Sequence, residues 1–482
     1  MPGLTDQQVD AIARRALERL GPGAGRAAPA VGGGPAPSVP GRLGVFPDVD
    51  SAVRAAAAAH RQLMGMTLAK REEMVASIRR SMKANAEALA EEALQETGLG
   101  RYDDKIEKNR LVAEKTPGTE DLVPLARTGD RGLMLTEPAP YGVIAAITPV
   151  TNPTSTIICN TIGMVAAGNA VVFNVHPAAK KVSVHNVSLI NKAITDVGGP
   201  ANLVAAVGEP TIESAQALMR HPGIRLVVVT GGPGVVKEAM ASGKRAICAG
   251  PGNPPVVVDE TADLDQAGRD IVIGASFDNN VICVDEKTII AVKSIADNLI
   301  QSMVRHGAVL LTPAQARQLE RLMLTGVKGP RQSATVEKSL IGQDAGAILS
   351  RIGMNVDHRV RLGLIQVDAN HPLVWTEQMM PIMPVVRVSN ADEGIDLAVE
   401  AELGRRHTAV MHSRNLDNLS RMARVCDCSI FVKNGPAVSG LGWHGEGYTS
   451  FSIASPTGEG LTKARDFTRE RRCTLVDHFR IT

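Results

Sequence analysis

The sequence predicts an α/β fold of parallel sheets with crossover helices. Three observations carry that prediction. Short apolar runs of strand length, Ala170–Val175, Leu203–Val207 and Leu226–Val229, alternate with helical stretches near 180–196, 211–220 and 234–242, the pattern of successive βαβ units. Further strand-like runs at Val256–Val258 and Thr288–Val292 continue it. The chain has 482 residues and only 2% aromatics, so two or three domains must fill their cores with Leu, Val, Ile, Ala and Met.

Composition excludes several classes of function. Hydrophobic residues are 44% and charged residues 21%, as in an ordinary globular chain. Lys+Arg 52 against Asp+Glu 50 leaves a net charge of +2, which gives no footprint for nucleic acid. No apolar run approaches the roughly 18 residues of a membrane span. The N-terminus lacks the basic start and apolar core of a secretion signal. The six cysteines (159, 248, 283, 426, 428 and 473) form no CxxC pair. Their irregular spacing points to a reducing compartment and to no metal site.

Taken in order, residues 5–20 form a short separate unit. Thr5 is suited to cap a helix, and Val9, Ile12, Ala13, Ala16, Leu17 and Leu20 repeat on one face. Gly21-Pro22-Gly23 ends it, and residues 21–44 are a Gly/Ala/Pro linker. Such a tethered helix is either a tail or subunit contact, or a docking peptide for a partner groove. Helical periodicity runs over 50–96 and stops at Gly98; strands follow at 133–137 and 142–147. Helices are expected over 294–306 and 313–324, the second with Pro313 at its start. An α/β block then extends to about 433. Residues 434–482 are Gly-rich, with a strand at 473–477. The expected division is 45–252, 253–433 and 434–482.

Four segments and one cysteine carry candidate chemistry. Thr148-Pro149-Val150-Thr151-Asn152-Pro153 follows the strand ending at Ile147, where open α/β sheets bind ligands. Asn152 there could donate to an oxyanion, or simply make a turn before Pro153. Thr230-Gly231-Gly232-Pro233-Gly234 lies between a strand and a helix, where a backbone can approach a phosphate; a plain connecting turn fits equally. Glu377 is a lone carboxylate in an apolar stretch, either structurally paired or a ligand for hydroxyls. His407 and His412, five apart on a strand, face opposite ways and do not share a metal. Cys283 closes the stretch Ala275-Ser276-Phe277-Asp278-Asn279-Asn280-Val281-Ile282-Cys283, and Asp285-Glu286-Lys287 follows.

In this order the segments resemble the aldehyde dehydrogenase superfamily over residues 45–482, and within it the CoA-acylating branch, above all propionaldehyde dehydrogenases of bacterial microcompartments. The match is carried by Ile147 to Thr154, Ala249-Gly250-Pro251-Gly252-Asn253-Pro254-Pro255, Ser276 to Asn280 before Cys283, and His407-Thr408-Ala409. It continues through Gly445-Glu446-Gly447, Pro456 to Gly460, and Phe467 to Cys473.

The resemblance implies two Rossmann-like α/β domains, one binding cofactor and one catalytic, with a small β oligomerisation element that includes a hairpin near 120–140. It implies Cys283 as nucleophile, the Cys283 N–H and Asn152 as oxyanion donors with Thr151 as a rival, and His407 as an aid to thiol activation or CoA binding. Glu377 would hold the nicotinamide ribose. Thr230, Gly231 and Gly232 would line the pyrophosphate site, and Thr148, Pro149, Thr151, His176 and Val235 would complete the NAD pocket. Where the superfamily usually has a lysine, this chain reads Phe173-Asn174-Val175-His176-Pro177.

Hydrolytic members carry a glutamate base where this chain has Ala249. A thioester without such a base is expected to leave on coenzyme A rather than on water. The resemblance therefore implies NAD-dependent conversion of a short-chain aldehyde to acyl-CoA, propionaldehyde first and acetaldehyde close behind. The alternative is a hydrolytic enzyme with a different base, such as Glu446. It further implies a dimer or tetramer, placement in a microcompartment within the bacterial cytoplasm, and docking of residues 5–20 to a shell protein.

Overall fold

The computed structural model describes residues 43–481. The expected helix 5–20, and all but the end of the linker 21–44, lie outside the described residues.

Two all-parallel sheets dominate. The first has six strands in the order Val45–Phe46, Val204–Val207, Ala170–Asn174, Val143–Ile147, Leu226–Thr230, Arg245–Ala249. The chain starts the main run at Val143–Ile147, winds outward through two crossovers, then returns to the other side of that strand at Leu226–Thr230. The direction of winding therefore reverses beside Val143–Ile147, which opens a crevice at the carboxyl ends of those two strands. The second sheet has seven strands in the order Ala308–Leu310, Leu362–Val367, Ile382–Val388, Thr288–Val292, Pro255–Val258, Thr408–His412, Ile430–Lys433. This is the expected α/β architecture.

Local signals explain most boundaries. The periodic stretch 50–96 is three helices, Val49–Leu63, Leu68–Ala84 and Ala86–Thr97. Asp48 caps the first by accepting from Ser51 N, and Thr67 caps the second by accepting from Lys70 N. Gly98 ends the third in the left-handed conformation at φ +66°. Thr312 and Gln315 form a reciprocal capping box on the helix Pro313–Met323.

Four elements lie outside the sequence expectation. The helix Pro153–Ala166 is buried along its whole length, so it has no polar face to reveal a period. The strand Arg245–Ala249 is short, polar at its start and at the edge of its sheet. The helices Tyr102–Lys115 and Leu264–Ser276 are the other two. The C-terminal strand starts earlier than expected, at Thr468 rather than 473, because Thr468–Val476 pairs residue for residue with Gly132–Pro140. Leu125–Gly129 completes this three-stranded antiparallel arm, and Leu125–Gly129 and Thr468–Val476 are almost wholly exposed. With both faces of Arg469-Glu470-Arg471-Arg472 in solvent, no alternation marks them as a strand. Among the described residues, no helix is long and apolar enough to cross a membrane.

Phe173 is fully buried in the first sheet next to its central strand. Phe173→Ala should destabilise the chain by about 3–5 kcal/mol, read as an earlier midpoint in chemical denaturation.

Candidate active site

A cleft of about 930 Å³ opens at the crevice of the first sheet. Thr148, Pro149, Thr151 and Asn152 line it from the exit of Val143–Ile147, and Thr230, Gly231, Gly232 and Val235 line it from the exit of Leu226–Thr230. His176 lines it beside the exit of Ala170–Asn174, and Cys283 and Glu377 close it from the second sheet. The two sheets present opposite ends. Cys283 precedes the strand Thr288–Val292, Glu377 precedes Ile382–Val388, and Gly252 precedes Pro255–Val258. The site is thus built from carboxyl ends of one sheet and amino ends of the other.

The first-sheet wall suits an anionic ligand. Gly232 caps the helix Pro233–Met240 with no side-chain cap, which leaves first-turn N–H groups for a ligand. A Cβ at Gly232 or Gly234 would meet no protein atom, so open space rather than packing surrounds this turn. Thr148 Oγ1 is buried without a protein partner. Thr230 Oγ1 shares a 2.7 Å hydrogen bond with Ser452 Oγ, which fastens the C-terminal segment across the cleft and brings Phe451 to its wall. These are features that fit a dinucleotide.

The loop before Cys283 is an unusual turn. Asp278, Asn279 and Asn280 are consecutive left-handed residues, with φ +44°, +57° and +67°. Asp and Asn tolerate this region better than other side chains, and single visits are the rule. Here each side chain is locked. Asn279 Nδ2 donates to Gly342 O at 2.9 Å, and Asn280 Nδ2 donates to Ala275 O at 2.8 Å and Glu286 O at 2.9 Å. Asp278 accepts from Arg101 N at 2.7 Å, from Lys105 Nζ at 3.1 Å, and from Lys108 Nζ in a shorter contact.

The charged run after Cys283 is wholly buried. Asp285 Oδ2 accepts from Ile282 N at 3.0 Å, and Lys287 Nζ donates to Asn280 O at 2.9 Å and Ile282 O at 3.1 Å. Glu286 accepts from Ala437 N at 2.8 Å. The run therefore braces the turn that carries the thiol. Gly252 seals it from below: a Cβ there would lie 2.2 Å from the Cys283 carbonyl oxygen.

Cys283 keeps part of its surface open to the cleft. The surrounding protein nevertheless pushes its thiol up to about 12; burial is the main cause, Glu377 and Asp285 add to it, and Lys287 opposes it. Glu377 accepts from Gly252 N at 3.1 Å and lies 3.5 Å from Arg405. Burial raises the Glu377 carboxyl, against Lys287 and Arg405.

His407 does not line the cleft. Its Nδ1 is 2.9 Å from Thr408 Oγ1, its Nε2 is buried without a partner, and a Cβ on Gly252 would lie 3.3 Å from its ring. Burial, with Lys287 and Arg405 adding, pushes it down to about 3, so the imidazole is neutral. It packs against the Gly252 turn.

Sequence reasoning missed Lys105, Lys108, Lys287, Arg405 and Phe451. The three lysines read as ordinary helix or loop charges, and only their burial, with side chains 3% exposed or less, sets them apart. Among the described residues, no group of three or more His, Cys, Asp or Glu side chains is placed to hold a metal ion.

The profile of the aldehyde dehydrogenase family matches residues 44–445. The chain belongs to that family. It is 53% identical over 440 residues to the acetylating acetaldehyde dehydrogenase EutE of Salmonella typhimurium, covering 91% of this chain and 94% of that one. The Rhodopseudomonas palustris propionaldehyde dehydrogenase, solved with CoA bound and an acylated cysteine, superposes with a TM-score of 0.87 at 49% identity, covering 90% of this chain and 98% of that one. A propionaldehyde dehydrogenase from the Clostridium phytofermentans fucose utilisation microcompartment gives a TM-score of 0.88 at 46% identity, covering 91% and 100%. Within the aldehyde dehydrogenase family, this chain stands with the CoA-acylating enzymes.

Because the Glu377 charge helps to keep the Cys283 thiol protonated, Glu377→Gln should shift the pH profile of Cys283 alkylation by iodoacetamide to lower pH. Mass spectrometry of the Cys283 peptide separates it from the exposed Cys473. An unchanged profile would refute the electrostatic coupling.

Proposed function

We propose that this aldehyde dehydrogenase oxidises a short-chain aldehyde, propionaldehyde in preference, and passes the acyl group from Cys283 to coenzyme A. The observation that carries the acylating step is the lack of a free carboxylate beside the thiol. Ala249 ends the strand Arg245–Ala249 with 3% of its surface exposed, at the position where hydrolytic members carry their base. Among the described residues that line the cleft, the carboxylates are Glu238 and Glu377. Glu238 is engaged by Arg220 and Gln216, and Glu377 by Gly252 N and Arg405. Glu446, the alternative base, is exposed and outside the cleft lining.

Cys283 Sγ adds to the aldehyde carbonyl carbon. Asn152 Nδ2–H and the Cys283 N–H receive the oxyanion. NAD, when bound, would supply the hydride acceptor; Gly231, Gly232, Thr230, Thr148, Pro149, Thr151, His176 and Val235 would hold it, with Glu377 for the nicotinamide ribose. Loss of hydride leaves a thioester on Cys283. The acyl group then moves to the CoA thiol, which needs less help to attack than water, so the missing base costs the acylating reaction little. A protonated resting thiol requires activation on binding; the cleft's helix N-termini and Lys287 favour the thiolate.

Val281, Met379 and Phe451 give the cleft that Cys283 lines apolar surface, which suits a propionyl chain. The 53% identity to an acetaldehyde enzyme, against 49% and 46% to propionaldehyde enzymes, favours a second reading in which acetaldehyde is preferred. One methylene discriminates by only about 1–3 kcal/mol, so both should react.

Two associations extend the proposal. The exposed edge of Thr468–Val476 would pair copies of the chain into a dimer or tetramer. Residues 5–20 would dock to a microcompartment shell, as their amphipathic pattern and the microcompartment origin of the Clostridium relative support.

NADH formation across C2–C4 aldehydes should require CoA and peak at three carbons; equal acid formation with and without CoA would refute the acyl-transfer reading. Cys283→Ala should abolish turnover, and Ala249→Glu should raise CoA-independent acid formation. Deleting residues 1–44 should spare activity and lose co-localisation with shell proteins; unchanged localisation would refute the docking role.

A further inference from the structure

We propose that Lys108 is the positioning residue that orients the Asn152 amide for the oxyanion, and that Asp278 holds Lys108 in place; this rests on the role given to Asn152 above. Lys108 comes from the helix Tyr102–Lys115 and is buried. Its Nζ donates to Asn152 Oδ1 at 2.7 Å and, in a shorter contact, to Asp278 Oδ2.

An amide has two ends of nearly equal size and opposite character. A lysine ammonium offers donors only, so the end facing Lys108 has to be the oxygen. The NH2 end then turns away. One of its hydrogens goes to Thr151 Oγ1 at 3.1 Å, and the other is left for the cleft that Asn152 lines. The reverse orientation would set N–H groups against the ammonium and present a carbonyl oxygen to a developing oxyanion. Lys108 therefore decides that the cleft meets a donor, and its charge polarises the amide in the direction that strengthens that donor.

Neutralising Asp278 does not account for Lys108. Lys105 already donates to the same Asp278 oxygen at 3.1 Å. Asp104, which accepts from Asp278 N at 2.9 Å, has its own partner in Arg361 at 2.5 Å. Lys105, Lys108 and Arg361 thus face two carboxylates, and the contact that only Lys108 makes is the one to Asn152. The same Asp278 forms part of the left-handed turn before Cys283, so one carboxylate sets both the nucleophile loop and the amide that faces it.

The test is a double-mutant cycle on the full chain, reading kcat for NADH formation with propionaldehyde and CoA. Asn152→Ala should lose about a hundredfold or more in kcat, the usual loss for an oxyanion donor. Lys108→Met should lose kcat to within about tenfold of that, with KM for NAD unchanged. The double variant should be no slower than Asn152→Ala alone, because Lys108 acts only through Asn152. Multiplied losses in the double variant, or an unaffected Lys108→Met, would overturn the inference while leaving the reading of Asn152 intact. Full activity in Asn152→Ala would overturn both. Should Lys108→Met fail to fold, Lys108→Gln completes the cycle. Its amide can donate to Asn152 Oδ1, so it should keep a higher kcat than Asn152→Ala, and the double variant should again be no slower than Asn152→Ala alone; multiplied losses would overturn the inference.

Discussion

The buried carboxylate of Asp278 is the constraint on which the site depends. It sits in the first of three consecutive left-handed residues, a conformation that must be repaid by contacts elsewhere. Those contacts come from far along the chain: Arg101, Lys105 and Lys108 all donate to it. A buried charge is tolerated only when paired and hydrogen-bonded, and here the pairing also delivers shape. The turn aims Cys283 into the cleft, and the lysine partner meets the loop that carries Asn152. Removing the carboxylate would leave two buried ammonium groups without their common partner.

The meeting of two sheets by opposite ends sets the electrostatics. Carboxyl ends of the first sheet lead into helix N-termini, which favour anions. The amino ends of the second bring Cys283, Glu377 and Gly252 together, with Lys287 beneath. Glu377 and Lys287 act on the thiol in opposite senses, and burial exceeds both, so the resting thiol is protonated. A thiol held protonated is less open to alkylation and oxidation than a thiolate.

Much of the fold was legible because βαβ alternation is a local pattern: Ala170–Asn174, Leu226–Thr230 and Thr288–Val292 stand within one or two residues of the expected bounds. The elements that escaped lacked that pattern. Pro153–Ala166 is buried on every side, and Thr468–Val476 is exposed on nearly every residue, so neither displays a period. At the site, Cys283, Asn152 and Glu377, singled out by residue type and local order, all line the one cleft. His407 was legible as a residue but not as a position; its place against Gly252 follows from the packing of the strand Thr408–His412 against Pro255–Val258.

The sequence by itself determined the α/β class, the acylating branch of the family and the alanine at position 249, since each is a matter of residue identity and local order. Only the tertiary structure decided which charges matter. Lys105, Lys108 and Lys287 differ from the other described lysines by burial alone, and burial is a property of everything packed around a residue. Lys108 meets Asp278 across 170 residues of chain, and no local pattern encodes a contact of that range.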